Sequence, residues 1–236
     1  MEMIWQGIKE AVRLLFTGDP ETWSITFLTL RVSGLATLIS VALGVPLGVL
    51  LALTRFPGRR FLISLVNTGM ALPPVVVGLW VSIFLWRSGP FGFLRLMYTP
   101  TAMVIAQTVI AAPVVMGFTI AGIGQLDPHL PMQLTALGAS RWQLYRLLVR
   151  EARLSILAAV MAGFGAVVSE VGASMMVGGN VPGYSRVLTT ATVMEVSKGN
   201  FELAIGISIV LLLLAYAVTL SLTLLQQRGR QPWLMR

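Results

Sequence analysis

Three stretches of this chain hold residue types that could do chemistry, and all three lie in apolar surroundings. Glu170 is the one carboxylate inside a long apolar run. A charge at the centre of a membrane-crossing helix costs about 2.5–3.5 kcal/mol even on insertion scales, so Glu170 must face a cavity or a partner. Ala158, Ala162, Ala166, Glu170 and Ser174 recur every fourth residue, which predicts Glu170 mid-helix on a stripe of small residues facing another helix or a subunit. A gate and a satisfied structural hydrogen bond both fit; a bare carboxylate is a poor ligand for an anion. Leu72-Pro73-Pro74-Val75 lies mid-run. Proline lacks the N–H and clashes with the preceding turn, so this pair must break or kink a helix. In lipid such a break survives where it is packed in protein or lines a watery cavity, and either reading is open. Gly178-Gly179-Asn180 opens the third stretch, which runs to Arg186. Its glycines permit unusual backbone angles whose N–H groups could touch an oxyanion, or simply make a turn.

The absences narrow the chemistry further. There is no cysteine, which removes thiol catalysis, disulfides and thiolate metal sites. His129 is the single histidine and sits in a loop beside prolines, so neither a Ser/His nucleophile nor a His-based metal site can be built in the apolar runs. No Gly-Lys pair occurs, hence no Walker A loop. No catalytic residue and no metal ligand is assigned, and no cofactor is expected on this chain.

The elements that must position these stretches are membrane helices. Of 236 residues, 56% are hydrophobic and only 11% charged, with mean hydropathy +0.83. A soluble domain carries about 25% charged residues, so this chain lacks the polar surface to face water all round. Residues 1–20 read as an interfacial helix with Ile4, Trp5, Ile8, Val12, Leu15 and Phe16 on one face, ended by Gly18-Asp19-Pro20. Residues 24–228 form one transmembrane domain. Its five apolar runs, near 25–53, 61–86, 101–122, 155–177 and 203–225, each approach the roughly 20 residues a crossing needs. The spacing Gly44-xxx-Gly48 predicts close approach of a neighbouring helix. Residues 229–236 read as a tail on the cytoplasmic side.

The long polar break at 127–153 reads as two short helices joined by a turn at Gly138-Ala139-Ser140. The second carries Arg146, Arg150 and Arg153 on one face and Leu144, Leu147 and Leu148 on another. Such a segment could offer a face to a soluble partner or lie on the lipid surface. The net charge of +8 comes from 17 Lys and Arg against 9 acids. Such charge fixes topology and touches anionic lipid; nucleic acid is the poorer partner. Five crossings put ten arginines on one side (55, 59, 60, 141, 146, 150, 153, 228, 230, 236) and seven cations on the other (Lys9, Arg13, Arg31, Arg87, Arg95, Arg186, Lys198). The richer side is expected to be cytoplasmic, with the N-terminus outside.

Thr135-Ala136-Leu137-Gly138-Ala139-Ser140 resembles the loop by which membrane subunits of bacterial ABC importers dock on their ATPase. Gly138 matches that loop's glycine, whereas Met132 replaces its opening glutamate, Gln133 and Leu134 its two alanines, and Arg150-Glu151 its closing Leu-Pro. Leu72 to Gly78, Arg87-Ser88-Gly89-Pro90 and the run Glu170 to Asn180 are similar to oxyanion importer permeases of the molybdate/tungstate group. Tyr98 to Met103 and Ser197 to Leu203 are most similar to the tungstate permeases. The resemblance covers roughly residues 24–226. It implies an all-α integral membrane protein of the type I importer permease class, forming a homodimer in a bacterial or archaeal cytoplasmic membrane. It further implies two ABC ATPase subunits carrying ATP and magnesium, and an extracytoplasmic oxyanion-binding protein. By the same resemblance Gln133, Thr135, Ala136, Gly138, Ala139, Ser140 and Arg141 couple to the ATPase. Leu72, Pro73, Pro74, Val75, Glu170, Ser174, Gly178, Gly179 and Asn180 would line the gate or pathway. The expected function is import of tungstate, with molybdate second and sulfate third. A self-contained channel or secondary transporter is the reading from another class.

Overall fold

The computed structural model describes residues 2–228; the expected tail at 229–236, with Arg230 and Arg236, lies outside them. Eleven α-helices make up the described residues, with one 3-10 turn at Gly92–Leu94. They are α1 (Glu2–Phe16), α2 (Pro20–Leu53), α3 (Arg59–Met70), α4 (Pro74–Leu85), α5 (Pro100–Gly124) and α6 (Leu130–Ala136). Then follow α7 (Arg141–Glu151), α8 (Arg153–Val168), α9 (Gly172–Gly178), α10 (Leu188–Ser197) and α11 (Phe201–Arg228).

Sequence sets the helix ends. Asp19 caps α2 by accepting from the backbone N–H of Thr22 at 2.8 Å, and Pro20 supplies a first-turn residue that needs no hydrogen bond. Thr99 and Pro100 repeat the arrangement at α5. At the other end of α2 the Arg59 guanidinium donates to the carbonyl of Leu51 at 2.6 Å, satisfying an acceptor that the helix leaves unpaired.

α2 and α5 form the central pair. Ser40 donates to the Thr108 carbonyl at 3.3 Å, Gly44 lies against Ala112 and Val115, and Gly48 lies against Met116 and Thr119. A Cβ on Gly48 would stand 2.8 Å from the Thr119 Cβ, so the Gly44-xxx-Gly48 spacing does bring two helices together. These contacts advance together along both helices, so α2 and α5 run parallel. The chain between them must therefore recross, and α3 with α4, bent by 101°, form that crossing. α9 meets α5 with opposite register, Ser174 at Gln107 and Gly178 at Met103, so α8 and α9 recross again. Gln226 of α11 donates to the Leu154 carbonyl at 3.4 Å, which returns the chain to the level where α8 began. α2, α5 and α11 are each long and apolar enough to span alone. The five expected runs are thus three single helices and two broken ones.

One detail adds to expectation and one differs from it. α1 packs on α11 through Gly7, Ala11 and Leu14, while Trp5, Val12 and Phe16 remain exposed. Close helix contact selects the small-residue face and leaves the greasy one to lipid. The fourth run is not one helix: it breaks at Ser169–Val171, so Glu170 stands in a gap and the every-fourth-residue stripe does not continue to Ser174.

Candidate functional site

The two breaks lie against each other. α3 ends at Met70, Pro73 is extended (φ −61°, ψ 126°), and α4 begins at Pro74, whose missing N–H is one of the first-turn donors with no helical partner. The Pro73 carbonyl accepts from Val76 at 2.9 Å and Val77 at 3.3 Å. Leu72 and Val75 are exposed. In the second break the Glu170 carboxylate accepts from the Ala173 N–H at 2.7 Å, and the Thr189 hydroxyl donates to the Glu170 carbonyl at 3.0 Å. Glu170 is 7% exposed and supplies the first turn of α9 with an acceptor. It is a helix tie in this conformation. A Cβ on Gly172 would come within 2.8 Å of Val75 Cγ2, and one on Gly78 within 2.7 Å of the Ala173 Cα. The structure therefore sets Val75 and Gly78, which follow the first break, against Gly172 and Ala173, which follow Glu170 in the second.

α9 is seated by contacts with no room to spare. Ser174 accepts from the Gln107 amide at 3.2 Å, and the Gln107 carbonyl oxygen is buried without a partner among the described residues. Gly178 backs onto Met103, and Gly179 (φ 70°) onto the ring of Tyr98, whose own N–H donates to the Val177 carbonyl at 2.8 Å. Asn180 follows at φ 50°, a left-handed conformation that asparagine tolerates better than most residues, and neither of its buried amide atoms has a partner among the described residues. Beyond it, Ser185 donates to the Gly178 carbonyl and accepts from the Val181 N–H. The N–H groups of Gly179, Tyr184, Ser185 and Arg186 also donate within this segment. The loop closes on itself, which leaves few of those N–H groups for a ligand.

Gln107, Tyr98 and Thr189 were not among the expected site residues. Gln107 had a readable signal, an amide inside an apolar run. Tyr98 and Thr189 lie outside the apolar runs, and only the fold carries them to α9.

The polar break folds as expected into α6, a turn and α7. Gly138 takes φ 84°, and Ser140 caps α7 in a capping box with Gln143: the Ser140 N–H donates to the Gln143 side chain at 2.8 Å while the Ser140 hydroxyl accepts from the Gln143 N–H. Leu148 is buried, and with Leu144, Tyr145 and Val149 it packs on the ends of α2 and α5 through Val49 and Ile123. Gln133, Thr135, Ala136, Gly138, Ser140 and Arg141 are exposed and Ala139 half-buried. Leu137 at the tip is 84% exposed. Leu147 is not in the packed face: with Leu134, Leu137, Arg146 and Arg150 it lines an open groove of about 910 Å³ between α6 and α7. The loop and the paired breaks are separate sites, joined by α5 and by the α7–α8 bend of 67°.

The far end of the molecule is polar. Glu21 pairs with Arg186 at 3.3 Å, and the buried Glu195 with Lys198 at 2.6 Å. Hydrogen bonds from the Thr22 hydroxyl and N–H, with a smaller contribution from Arg13, hold the Asp19 carboxyl below its ordinary value.

Residues 44–231 match the family described as "Binding-protein-dependent transport system inner membrane component". The chain is 37% identical, over 96% of its length and all of the relative's, to the tungstate uptake system permease protein TupB of Peptoclostridium acidaminophilum. It is 38% identical over 83% of its length, and 86% of the relative's, to a probable anion ABC transporter permease of Haloferax volcanii. Identity to the molybdenum transport system permease protein ModB of Escherichia coli K12 is 29% over 73% of this chain and 79% of that one. In fold it matches a chain of the MetNI methionine ABC transporter in an inward-facing form, with TM-score 0.73, 20% identity, and coverage of 90% and 99% of the two chains. A family match over most of the sequence, on an all-helical chain with a polar helix–turn–helix, decides the matter: the chain belongs to the binding-protein-dependent transport family, as the membrane component of an ABC importer whose ATPase is a separate subunit.

Proposed function

We propose that this chain forms the translocation pathway of a tungstate importer, with molybdate as the second cargo. The observation that carries this reading is the end-to-end similarity to a tungstate permease, which exceeds the similarity to the molybdenum permease in both identity and coverage. The α6–α7 loop lies in the cytoplasm in this reading, on the side richer in arginine. There Gln133, Thr135, Ala136, Gly138, Ala139, Ser140 and Arg141 seat in the ATPase, and exposed Leu137 provides an apolar anchor. Met132 takes the position of the loop's opening glutamate, so docking leans on shape and apolar burial more than on a charge contact.

Two copies place their α3–α4 breaks toward a shared axis, and an extracytoplasmic binding protein delivers the anion from the other side. Closure of the ATPases draws the two loops together, and rigid α7–α8 transmits the movement to the contact of Val75 with Gly172. Leu72, Pro73, Pro74 and Val75 form the gate, with Glu170, Ser174, Gly178, Gly179 and Asn180 holding α9 behind it. Glu170 serves as the tie that lets α9 move as a unit. The test is uptake into ATP-loaded proteoliposomes holding this chain, its ATPase and its binding protein, with molybdate and sulfate as competitors. Saturable tungstate uptake that needs all three components is expected. Flux from this chain alone, down a gradient and without ATP, would overturn the proposal.

A further inference from the structure

We propose that a groove between α2 and α7 is a binding site for one anionic phospholipid, separate from the cargo pathway and adjoining the α6–α7 groove through Arg146 and Val149. Val45, Pro46 and Leu50 of α2 form one wall, and Trp142, Tyr145 and Arg146 of α7 the other, enclosing about 430 Å³. The walls are apolar except at one rim, where the Arg146 guanidinium has no hydrogen bond or ion pair among the described residues. Leu50 is 47% and Trp142 77% exposed, so the groove opens outward.

Its height in the membrane follows from the chain. α2 ends at Leu53, and Arg55, Arg59 and Arg60 follow, so the groove spans the last turns of a crossing and the start of the polar layer. Tryptophan and tyrosine concentrate at that level because an apolar ring with a polar edge suits it, and arginine there reaches outward to headgroup phosphates. Pro46 sharpens the site: it cannot donate to the Ala42 carbonyl, and its ring replaces a flexible side chain with a flat wall. An acyl chain fits along Val45 to Leu50, and a phosphate fits the unpaired guanidinium. The charge fixes the occupant. A second copy of the chain or a zwitterionic lipid would fill the apolar walls without making use of Arg146, whereas an anionic headgroup gains about fivefold in binding from one such cation. Arg146 also borders the α6–α7 groove, so a bound lipid would lie directly beside the docked ATPase.

The test is native mass spectrometry of the purified permease–ATPase complex, incubated with phosphatidylglycerol or with phosphatidylcholine of identical chains. One phosphatidylglycerol per protomer should survive activation that strips phosphatidylcholine, with about a fivefold preference. Arg146→Gln should abolish the preference, and Arg60→Gln, an exposed cation at the same level but outside the groove, should leave it intact. Leu50→Trp, which fills the groove without touching the cation or the docking face, should displace both lipids. Equal retention of the two lipids by the unsubstituted chain, or equal loss in Arg60→Gln and Arg146→Gln, would overturn the assignment. Cargo uptake is not the readout, so the outcome is independent of which anion is carried.

Discussion

Glycine does opposite work in the two functional regions. At the paired breaks Gly78 and Gly172 are ordinary in conformation and have no space: an added Cβ would stand 2.7 Å and 2.8 Å from its neighbours. At the α6–α7 turn Gly138 has open space all round and a backbone angle, φ 84°, that side chains avoid. One region is specified by close packing of backbone on backbone, the other by a turn that exposes a surface. Protein interiors deform in discrete steps, so the packed region suits a two-position element. The turn suits a rigid plug for another protein's groove.

Substitutions should separate the two. Gly78→Ala forces the α4 backbone from α9, because the obstacle is the Ala173 Cα and not a side-chain tip. It should destabilise the protein by about 1–3 kcal/mol and abolish uptake, while ATPase co-purification persists. Leu137→Asp should do the reverse: ATPase co-purification falls at least tenfold, roughly 1.4 kcal/mol, with the melting temperature unchanged. Glu170 sharpens the packed side. Glu170→Gln keeps an acceptor for the Ala173 N–H and should retain uptake, whereas Glu170→Ala strands that N–H and should cost about 1–3 kcal/mol. Loss of uptake in Glu170→Gln with stability intact would show that the charge, not the tie, matters. Gly138→Ala has no clash to relieve and should cost only about 1 kcal/mol, seen as weaker ATPase binding.

The smallest effect belongs to neither region and serves as a control. Asp19 has its folded-state pKa below the ordinary 3.8, so the stability it contributes is complete above that value and is lost as pH falls through the folded pKa. Acid titration of thermal unfolding should show this loss in the natural chain and not in Asp19→Asn.

The same contrast explains how much was legible in the sequence. The Pro73-Pro74 break, the Gly44-xxx-Gly48 contact and the Gly138 turn each have a local covalent cause, and each was readable. The break at Glu170 has none. No proline precedes it, and the every-fourth-residue stripe of small residues runs straight through it, so periodicity predicted a continuous helix. What ends α8 is tertiary: α9 must meet α5 at Gln107 and α4 at Gly78, and Thr189 arrives from α10 to take the Glu170 carbonyl. The packed face of α1 was not legible for a related reason. Amphipathic patterning rewards the large apolar face, but a helix partner in a membrane takes the small one, Gly7 and Ala11. Spacing puts Leu144, Leu147 and Leu148 on one face but cannot tell which of the three packs, and Leu147 is the one left over to line the groove.

The pairing of α1 with α11 also bears on how the molecule is made. A Cβ on Gly7 would meet Ile205, and Gly206 lies against Ala11, so an early helix packs on one synthesised about 200 residues later. Until the ribosome has delivered α11 to the membrane, Gly7 and Ala11 have no partner helix to close upon. Its docking is therefore a late step of biogenesis, and it can act as a check that every intervening crossing has been inserted.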